Sequence, residues 1–274
     1  MRKFTVLFFI LVSLSSSAQE VVSDLVCNPV LADYKHKINP FKSILSLPFI
    51  DDFSYDSHQV DNDLWMESSV FVNRTYPINP PTIGVATFDG LDANGFARDF
   101  SPSSSSEPSD TLLSQTIDLS GISSAYFMFY YQGKGMGDAP QQLDKLVLEF
   151  FDGSIWNEIW SVNGQTMTEF EKVVEVIDSA VYLTNNFQFR FRNYATISGN
   201  FDHWNLDYIK LDELTSTSDF DELNDVSVVY NSPSFLKRYT QMPWTHFKNN
   251  EANELKDSID ILIRNNDASI NVDY

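Results

Sequence analysis

The strongest constraint on the fold is a strict alternation of aromatic and polar residues in residues 187–192, FQFRFR. Successive side chains of a β-strand point to opposite faces, so this pattern buries three phenylalanines and leaves the polar residues in water. A turn at residues 198–200 separates it from a second predicted strand at residues 204–211, which carries Asp207 in its middle. A buried carboxylate needs a hydrogen-bond donor or a metal ion, so Asp207 is the first candidate site residue.

Short stretches of the same kind recur earlier in the chain, at the spacing that is typical of a β-sandwich. The further predicted strands are residues 45–53, 64–72, 83–88, 111–119, 125–132, 143–151, 155–162 and 170–177. Residues 125–132 are apolar on both faces, which indicates a central strand. Residues 99–110 contain four consecutive serines and two prolines, which indicates a surface loop. We predict an all-β fold, an antiparallel jelly-roll β-sandwich over residues 45–214.

The two ends of the chain differ from this central part. Residues 1–18 have a basic start, an apolar run and small residues before position 19, which predicts a secretory signal peptide. Residues 19–44 are polar and have no sustained period, so we interpret them as a leader. A short acidic linker is predicted at residues 215–225. Residues 226–274 hold two or three strands, too few to close a sandwich, and are interpreted as an incomplete second β domain at the front of a longer protein.

Composition limits the location and the partners of the chain. The apolar run of the signal peptide is too short to span a bilayer and no later run is longer, so we expect no transmembrane segment in the mature chain. Removing Arg2 and Lys3 with the signal peptide changes the net charge from −20 to −22. Such a charge excludes nucleic acid as a partner. Cys27 is the only cysteine, so no internal disulfide forms. The predicted location is extracellular or at the cell surface.

The sequence lacks the common catalytic motifs. Its four histidines are too far apart for a catalytic zinc site, and no Gly-x-Ser-x-Gly nucleophile elbow occurs. Glu149 and Asp152 are three positions apart, so on a regular strand they face opposite sides and cannot form the carboxylate pair of a retaining glycosidase. We therefore expect a non-catalytic protein, although a triad assembled from distant residues stays open.

Aromatic residues provide the candidate ligand-binding surface. The candidates are Trp65, Tyr131, Trp156 and Trp160, which could form a stacking platform for sugar rings. The alternative is that they fill the core, since burial of aromatic rings drives much of the packing in a sandwich.

Acidic residues provide a candidate metal site. The candidate ligands are Asp51, Asp52, Asp202 and Asp207, hard oxygen ligands from the first and last predicted strands. If they meet at one edge of the sheet, they can hold Ca²⁺ and tie the two ends of a domain that has no disulfide. The alternative is that these acids are solvated or hydrogen-bonded, and that Asp202 caps a turn.

Several short motifs occur in a characteristic order along the sandwich. They are residues 51–53 (DDF), 63–65 (DLW), a glycine-containing turn at 92–96, 113–117 (LSQTI), 127–132, 156–160 and 204–209 (WNLDYI). This order resembles the MAM-like jelly-roll family of adhesion domains, which is similar to concanavalin-like and galactose-binding-like folds. The sequence departs from the family at Tyr208, where a second acid is expected, and in lacking the cysteines of animal MAM domains. The signal peptide, single cysteine and acidic charge resemble bacterial surface proteins exported by the type IX system.

Together these observations predict an exported, non-catalytic binding or adhesion module whose partner is a glycan or another protein. Two alternatives stay open. One is a secreted glycan hydrolase whose acids come from separate strands, with Glu149 or Asp207 as the acids to test. The other is a domain that only spaces or displays its neighbours.

Overall fold

The structure is a computed structural model that describes residues 28–32, 44–101, 106–167, 169–216, 219 and 225–266. The predicted signal peptide, Cys27, most of the predicted leader and most of the predicted linker lie outside these residues. Within the described chain, strands dominate and helices are limited to single turns. None of these helices is long and apolar enough to cross a membrane.

Eleven strands in the described part of the chain build two sheets. Their bounds are β1 Phe49–Asp51, β2 Trp65–Ser68, β3 Phe71–Asn73, β4 Val85–Phe88, β5 Glu107–Ser114, β6 Ala125–Gly133, β7 Lys145–Phe151, β8 Trp156–Asn163, β9 Glu171–Ile177, β10 Phe189–Ala195 and β11 Trp204–Glu213. The six-stranded sheet has the order β3-β4-β11-β6-β9, with β1 also paired to β11, and the five-stranded sheet has the order β2-β5-β10-β7-β8. The strand pairs within both sheets are antiparallel, which confirms the predicted all-β sandwich.

Strand β11 organises the six-stranded sheet. One of its edges pairs with β6, and its other edge pairs first with β4 and then with β1. The register with β6 shifts between Asp207 and Lys210, which marks an irregularity of the bulge type. Asp207 therefore lies where β11 changes partners. At such an irregularity, side chains need not alternate strictly between the two faces of the sheet.

The core lies between the two sheets and is built largely from aromatic rings. Phe187, Phe189 and Phe191 are all fully buried, as the alternation predicted. The ring of Phe189 lies 4.6 Å from that of Phe127 on β6, measured between centroids, so the facing sheets interdigitate. Edge-to-face contacts of this kind contribute beyond simple area burial. The alternation therefore set which face of β10 became the core.

Residues 64–72 do not form the single strand that the sequence indicated. They divide into β2, in the five-stranded sheet, and β3, in the six-stranded sheet. The chain crosses from one sheet to the other at residues 69–70, and Val70 is buried where it crosses. Apolar residues occur on both sides of the polar residues 67–69 because both strands face the same core, Trp65 from β2 and Val72 from β3.

The predicted surface loop at residues 99–110 is partly strand, since β5 begins at Glu107. Asp110 is fully buried and its Oδ1 accepts a hydrogen bond of 2.9 Å from the Arg98 guanidinium. Its backbone N–H donates to Oδ1 of Asn193 on β10 at 2.6 Å. These long-range partners stabilise the segment, although its composition offers little packing of its own.

The remaining elements are short. Three single-turn helices are α1 Pro29–Ala32, α2 Trp244–Phe247 and α3 Glu251–Glu254, and a two-stranded sheet pairs β12 Val226–Val228 with β13 Ile263–Asn265. Arg264 on β13 donates to the carbonyl oxygen of Asn79 at 2.8 Å, and the N–H of Asn79 donates to the Tyr230 hydroxyl at 2.8 Å. This sheet therefore makes polar contacts with the sandwich, and the division of the chain into two domains stays a prediction.

Candidate functional site

The outer face of the five-stranded sheet carries a group of aromatic and charged side chains. Arg190, Arg192 and Tyr194 alternate with the buried residues of β10, so they point away from the core. Register places Glu149 opposite Arg190, and on the next pair of strands Phe151 opposite Trp156. We call this surface the sheet platform; it consists of Lys145, Glu149, Phe151, Trp156, Arg190, Arg192 and Tyr194, all half-buried.

Rings and cations alternate across the sheet platform. The guanidinium carbon of Arg190 lies 4.2 Å from the centroid of the Trp156 ring, and the Phe151 ring lies 5.2 Å from the same ring. At the other end, the guanidinium of Arg192 and the ammonium of Lys145 lie 5.4 Å and 4.8 Å from the Tyr194 ring. Cations at these distances are attracted by the negative faces of the rings. The aromatic side chains are therefore held in place rather than free on the surface.

An ionic network joins the two ends of the sheet platform. The carboxylate of Glu149 lies 2.6 Å from Nε of Arg190 and 3.3 Å from Nε of Arg192. Because all three side chains are half-buried, this network is less screened than an ion pair in open solvent. Charge-assisted hydrogen bonds also fix orientation, so the platform offers donors and acceptors in a defined arrangement.

Trp65 does not belong to this surface, which corrects its place among the candidate stacking residues. Its side chain is 1% exposed, and its ring packs against Phe49 and Phe189 at centroid distances of 5.3 Å and 5.6 Å. Its Nε1–H donates to Oδ2 of Asp51 at 2.6 Å. Trp65 is a core residue because β2 turns it towards the facing sheet.

Tyr131 and Trp160 also lie on the core side of their strands. Their rings are 4.9 Å apart, and Trp160 packs on Phe129 at 5.1 Å. The hydroxyl of Tyr131 donates to Oε2 of Glu171 at 2.8 Å. Trp156 is thus the one member of the four predicted stacking residues that the structure places on the sheet platform.

Asp207 is fully buried, and both of its carboxyl oxygens form hydrogen bonds with Thr82. The backbone N–H of Thr82 lies 2.8 Å from Oδ2, and the Thr82 hydroxyl lies 2.8 Å from Oδ1. Burial raises the pKa of Asp207 to about 8, and the hydrogen bond from the backbone N–H of Thr82 opposes that rise only in part. Asp207 is therefore placed as a neutral, hydrogen-bonded group under the loop that contains Thr82.

The other predicted metal ligands have hydrogen-bond partners of their own. Asp51 accepts from the N–H of Phe53 and from Trp65, and burial raises its pKa to about 6. Oδ1 of Asp52 accepts from the N–H of Ser54 at 3.1 Å. Each of these carboxylates already closes a turn or holds a core ring.

Asp202 lies in the turn before β11, where its Oδ2 accepts a hydrogen bond from the N–H of Thr196 at 2.8 Å. It has a φ of 57°, a conformation that aspartate tolerates better than most residues, and burial raises its pKa to about 6. In the part of the chain that the structure describes, no group of three or more His, Cys, Asp or Glu side chains is arranged to hold a metal ion. The calcium site stays a prediction.

Sequence reasoning missed most of the sheet platform. The alternation places Arg190 and Arg192 on the solvent-facing side of their strand, and Glu149 enters only as a possible acid of the hydrolase alternative. The sequence does indicate the position of the two arginines. Because they alternate with buried phenylalanines, both must lie on the outer face of the strand. Their partners on β7 and β8 required the register, which is a tertiary property.

Searches of protein-family models and of curated proteins found no match for this chain. Among solved structures, the chain is similar to the CBM22-1 xylan-binding domain of Xyn10C from Paenibacillus barcinonensis, with 7% identity, a TM-score of 0.38 and coverage of 64% of this chain and 99% of that one.

Two further structures show a comparable likeness. CBM27-1 of Caldicellulosiruptor saccharolyticus, solved with mannohexaose, has 14% identity, a TM-score of 0.35 and coverage of 62% and 98%. The K1 cleaved adhesin domain of Lys-gingipain from Porphyromonas gingivalis W83 has 9% identity, a TM-score of 0.34 and coverage of 61% and 98%. Likenesses at this level assign no family to the chain.

Proposed function

We propose that this chain is a non-catalytic binding or adhesion module that recognises a glycan through the sheet platform. The observation that carries the proposal is the indole of Trp156, held under the Arg190 guanidinium and next to Phe151 on an outer sheet face. A sugar ring has apolar C–H faces that pack on aromatic rings and hydroxyls that need hydrogen-bond partners. The platform supplies both kinds of contact.

The charged residues of the platform suit hydroxyl groups in particular. An arginine only donates hydrogen bonds and an ionised glutamate only accepts them, so Arg190, Arg192 and Glu149 together can satisfy both roles of a hydroxyl. Their mutual ion pairs hold them in position before a ligand arrives. A surface that is already ordered loses less conformational entropy when a ligand binds.

The absence of catalysis is part of the same proposal. Glu149 is paired with two arginines, so its carboxylate is already engaged in ion pairs. Asp207 is enclosed under Thr82, away from the platform. These placements support binding over the hydrolase alternative.

The experiment is a glycan array followed by calorimetric titration of the best ligand. Trp156→Ala should weaken binding at least tenfold, because stacking on an aromatic side chain contributes about 1–3 kcal/mol per base in nucleic-acid sites, and we expect a sugar ring packed on the indole to contribute comparably. Trp244→Ala is the matched control, since Trp244 is exposed on α2, outside the platform.

Equal affinities of the two variants would contradict glycan binding by the sheet platform. Release of reducing ends that Glu149→Gln abolishes would favour the hydrolase, and no binding to any glycan would favour a protein partner or a spacer.

We further propose that the module is exported and belongs to a bacterial cell-surface protein of the type IX class with a MAM-like jelly roll. The signal-peptide pattern of residues 1–18, the single cysteine and the acidic charge support export. Mass spectrometry of the protein from its own host would test it: a mature chain that starts at Gln19 in the medium or on the cell surface is expected, and an uncleaved chain inside the cell would contradict it.

A further inference from the structure

A concave site lies on the other sheet, at its edge strand β3. It is a cleft of about 330 Å³, formed between β3, the segment after β1 and the chain around Asn231. We call it the β3 cleft; the residues that matter below are Val30, Asp56, His58, Val72, Arg74 and Asn231. Its volume is at the lower end of the roughly 300–1,000 Å³ of small-molecule sites, enough for one or two sugar rings.

Arg74 provides positive charge in the β3 cleft. Its guanidinium donates to Oδ1 of Asn231 at 3.0 Å and to the carbonyl oxygen of Ser54 at 3.1 Å. Among the described residues, no carboxylate lies within ion-pair distance of it. Neutral partners therefore hold the guanidinium in place while its charge stays uncompensated, in a protein whose net charge is −20.

His58 adds a hydrogen-bonding group beside this cation. Its ring stacks on Phe71 at 5.4 Å, and its Nδ1 lies 3.2 Å from the carbonyl oxygen of Val72. Because a carbonyl oxygen can only accept, Nδ1 carries the proton. In the neutral ring, Nε2 is then an acceptor, which suits a ligand hydroxyl.

The remaining lining distinguishes between classes of anion. Asp56 is an exposed carboxylate on the cleft, and Val30 is an exposed apolar side chain in its lining. A simple anion such as acetate or phosphate would gain from Arg74 and lose to repulsion from Asp56. A ligand that carries both a carboxylate and hydroxyls satisfies both, because hydroxyls donate to Asp56 while the carboxylate accepts from Arg74.

We propose that the β3 cleft binds a sugar acid, a uronate residue free or at the end of a chain, with its carboxylate on Arg74 and its hydroxyls on Asp56 and His58. The ring packs on the exposed side chain of Val30. This site shares no residue with the sheet platform, so it does not depend on the function proposed for that surface.

The test is calorimetric titration of the protein with D-glucuronate and D-galacturonate, with D-glucose and acetate as probes that lack one half of the recognised chemistry. At least one uronate should bind saturably in the millimolar range and at least tenfold more tightly than glucose and acetate. Arg74→Gln should lower that affinity at least tenfold, since it removes a charge-assisted contact. Lys256→Gln, at an exposed cation outside both the cleft and the sheet platform, should leave it unchanged.

Arg74 also joins separate segments, so a second variant protects the test from a folding defect. Thr75 is exposed and lines the cleft, and Thr75→Trp should fill it and abolish uronate binding without a change in melting temperature. Wild-type protein that binds no uronate, or that binds glucose equally well, would overturn the proposal. So would a folded Arg74→Gln variant with wild-type affinity. Loss of binding in Arg190→Gln but not in Arg74→Gln would assign uronate to the sheet platform and likewise overturn it.

Discussion

At the scale of single residues, the hydrogen bonds around Asp207 require that its carboxyl group carries a proton. The Thr82 hydroxyl has one proton, yet it lies 2.8 Å from both the carbonyl oxygen of Asp52 and Oδ1 of Asp207. A carbonyl oxygen can only accept, so both bonds form together only when Asp207 carries a proton and donates it to the hydroxyl. The rise of the Asp207 pKa to about 8 on burial has the same consequence.

This protonation makes stability depend on pH. The pKa of Asp207 is about 8 in the folded state, and about 3.9 is usual for an unfolded chain, so between these values the folded state binds more protons. The free energy of unfolding should therefore fall as pH rises from about 4 to 8, by at most about 1.4 kcal/mol per pH unit from this group. Asp207→Asn should remove that share of the slope, measured by urea unfolding across the range.

Asp118→Asn is the matched control for this experiment. Asp118 is fully exposed, and hydrogen bonds from Ser120 lower its pKa, so it titrates below the range of the measurement. Its substitution should leave the slope as in the wild type. If Asp207→Asn also leaves the slope unchanged, Asp207 is ionised in the folded protein and its hydrogen bonds require another account.

At the scale of elements, β10 shows how one alternation serves two surfaces. Its phenylalanines form the centre of the core, while the arginines between them form the sheet platform. Phe189 is fully buried and its ring contacts those of Phe49, Trp65, Phe127 and Phe191. Phe189→Ala should therefore lower the free energy of unfolding by about 3–5 kcal/mol, measured by chemical denaturation.

Phe100→Ala is the same chemical change at a site that is 72% exposed, and it should cost less than about 0.5 kcal/mol. A comparable loss at both positions would mean that the rings of β10 do not form the packed centre of the sandwich.

The two strands that replace the predicted strand at residues 64–72 show the limit of predicting strands from periodicity. Periodicity identifies apolar stretches, but it does not show where a chain changes sheets.

At the scale of the whole molecule, a net charge of −20 and the lack of a disulfide among the described residues make ion binding the relevant question for stability. The sequence-based calcium hypothesis predicts that Ca²⁺ at a hundred times its dissociation constant adds about 2.7 kcal/mol. For a domain of this size, that corresponds to a rise in melting temperature of roughly 5–10 °C over protein in chelator. Asp207→Asn should remove most of the gain, and Asp118→Asn should not. Melting curves that coincide with and without Ca²⁺ would contradict the hypothesis and leave these acids as hydrogen-bonded residues.

The sequence by itself determined the all-β class, most of the strands and the buried face of β10. It could do so because strand periodicity is a local property that each segment carries alone. Only the tertiary structure decided that Trp65 fills the core while Trp156 lies on an outer face, since burial depends on which sheet a strand joins and how it is registered. It also supplied Thr82 as the partner of Asp207, 125 positions away in the chain, and Asn231 as a partner of Arg74, 157 positions away. Contacts at such separations arise from the fold as a whole, and no local pattern of residues encodes them.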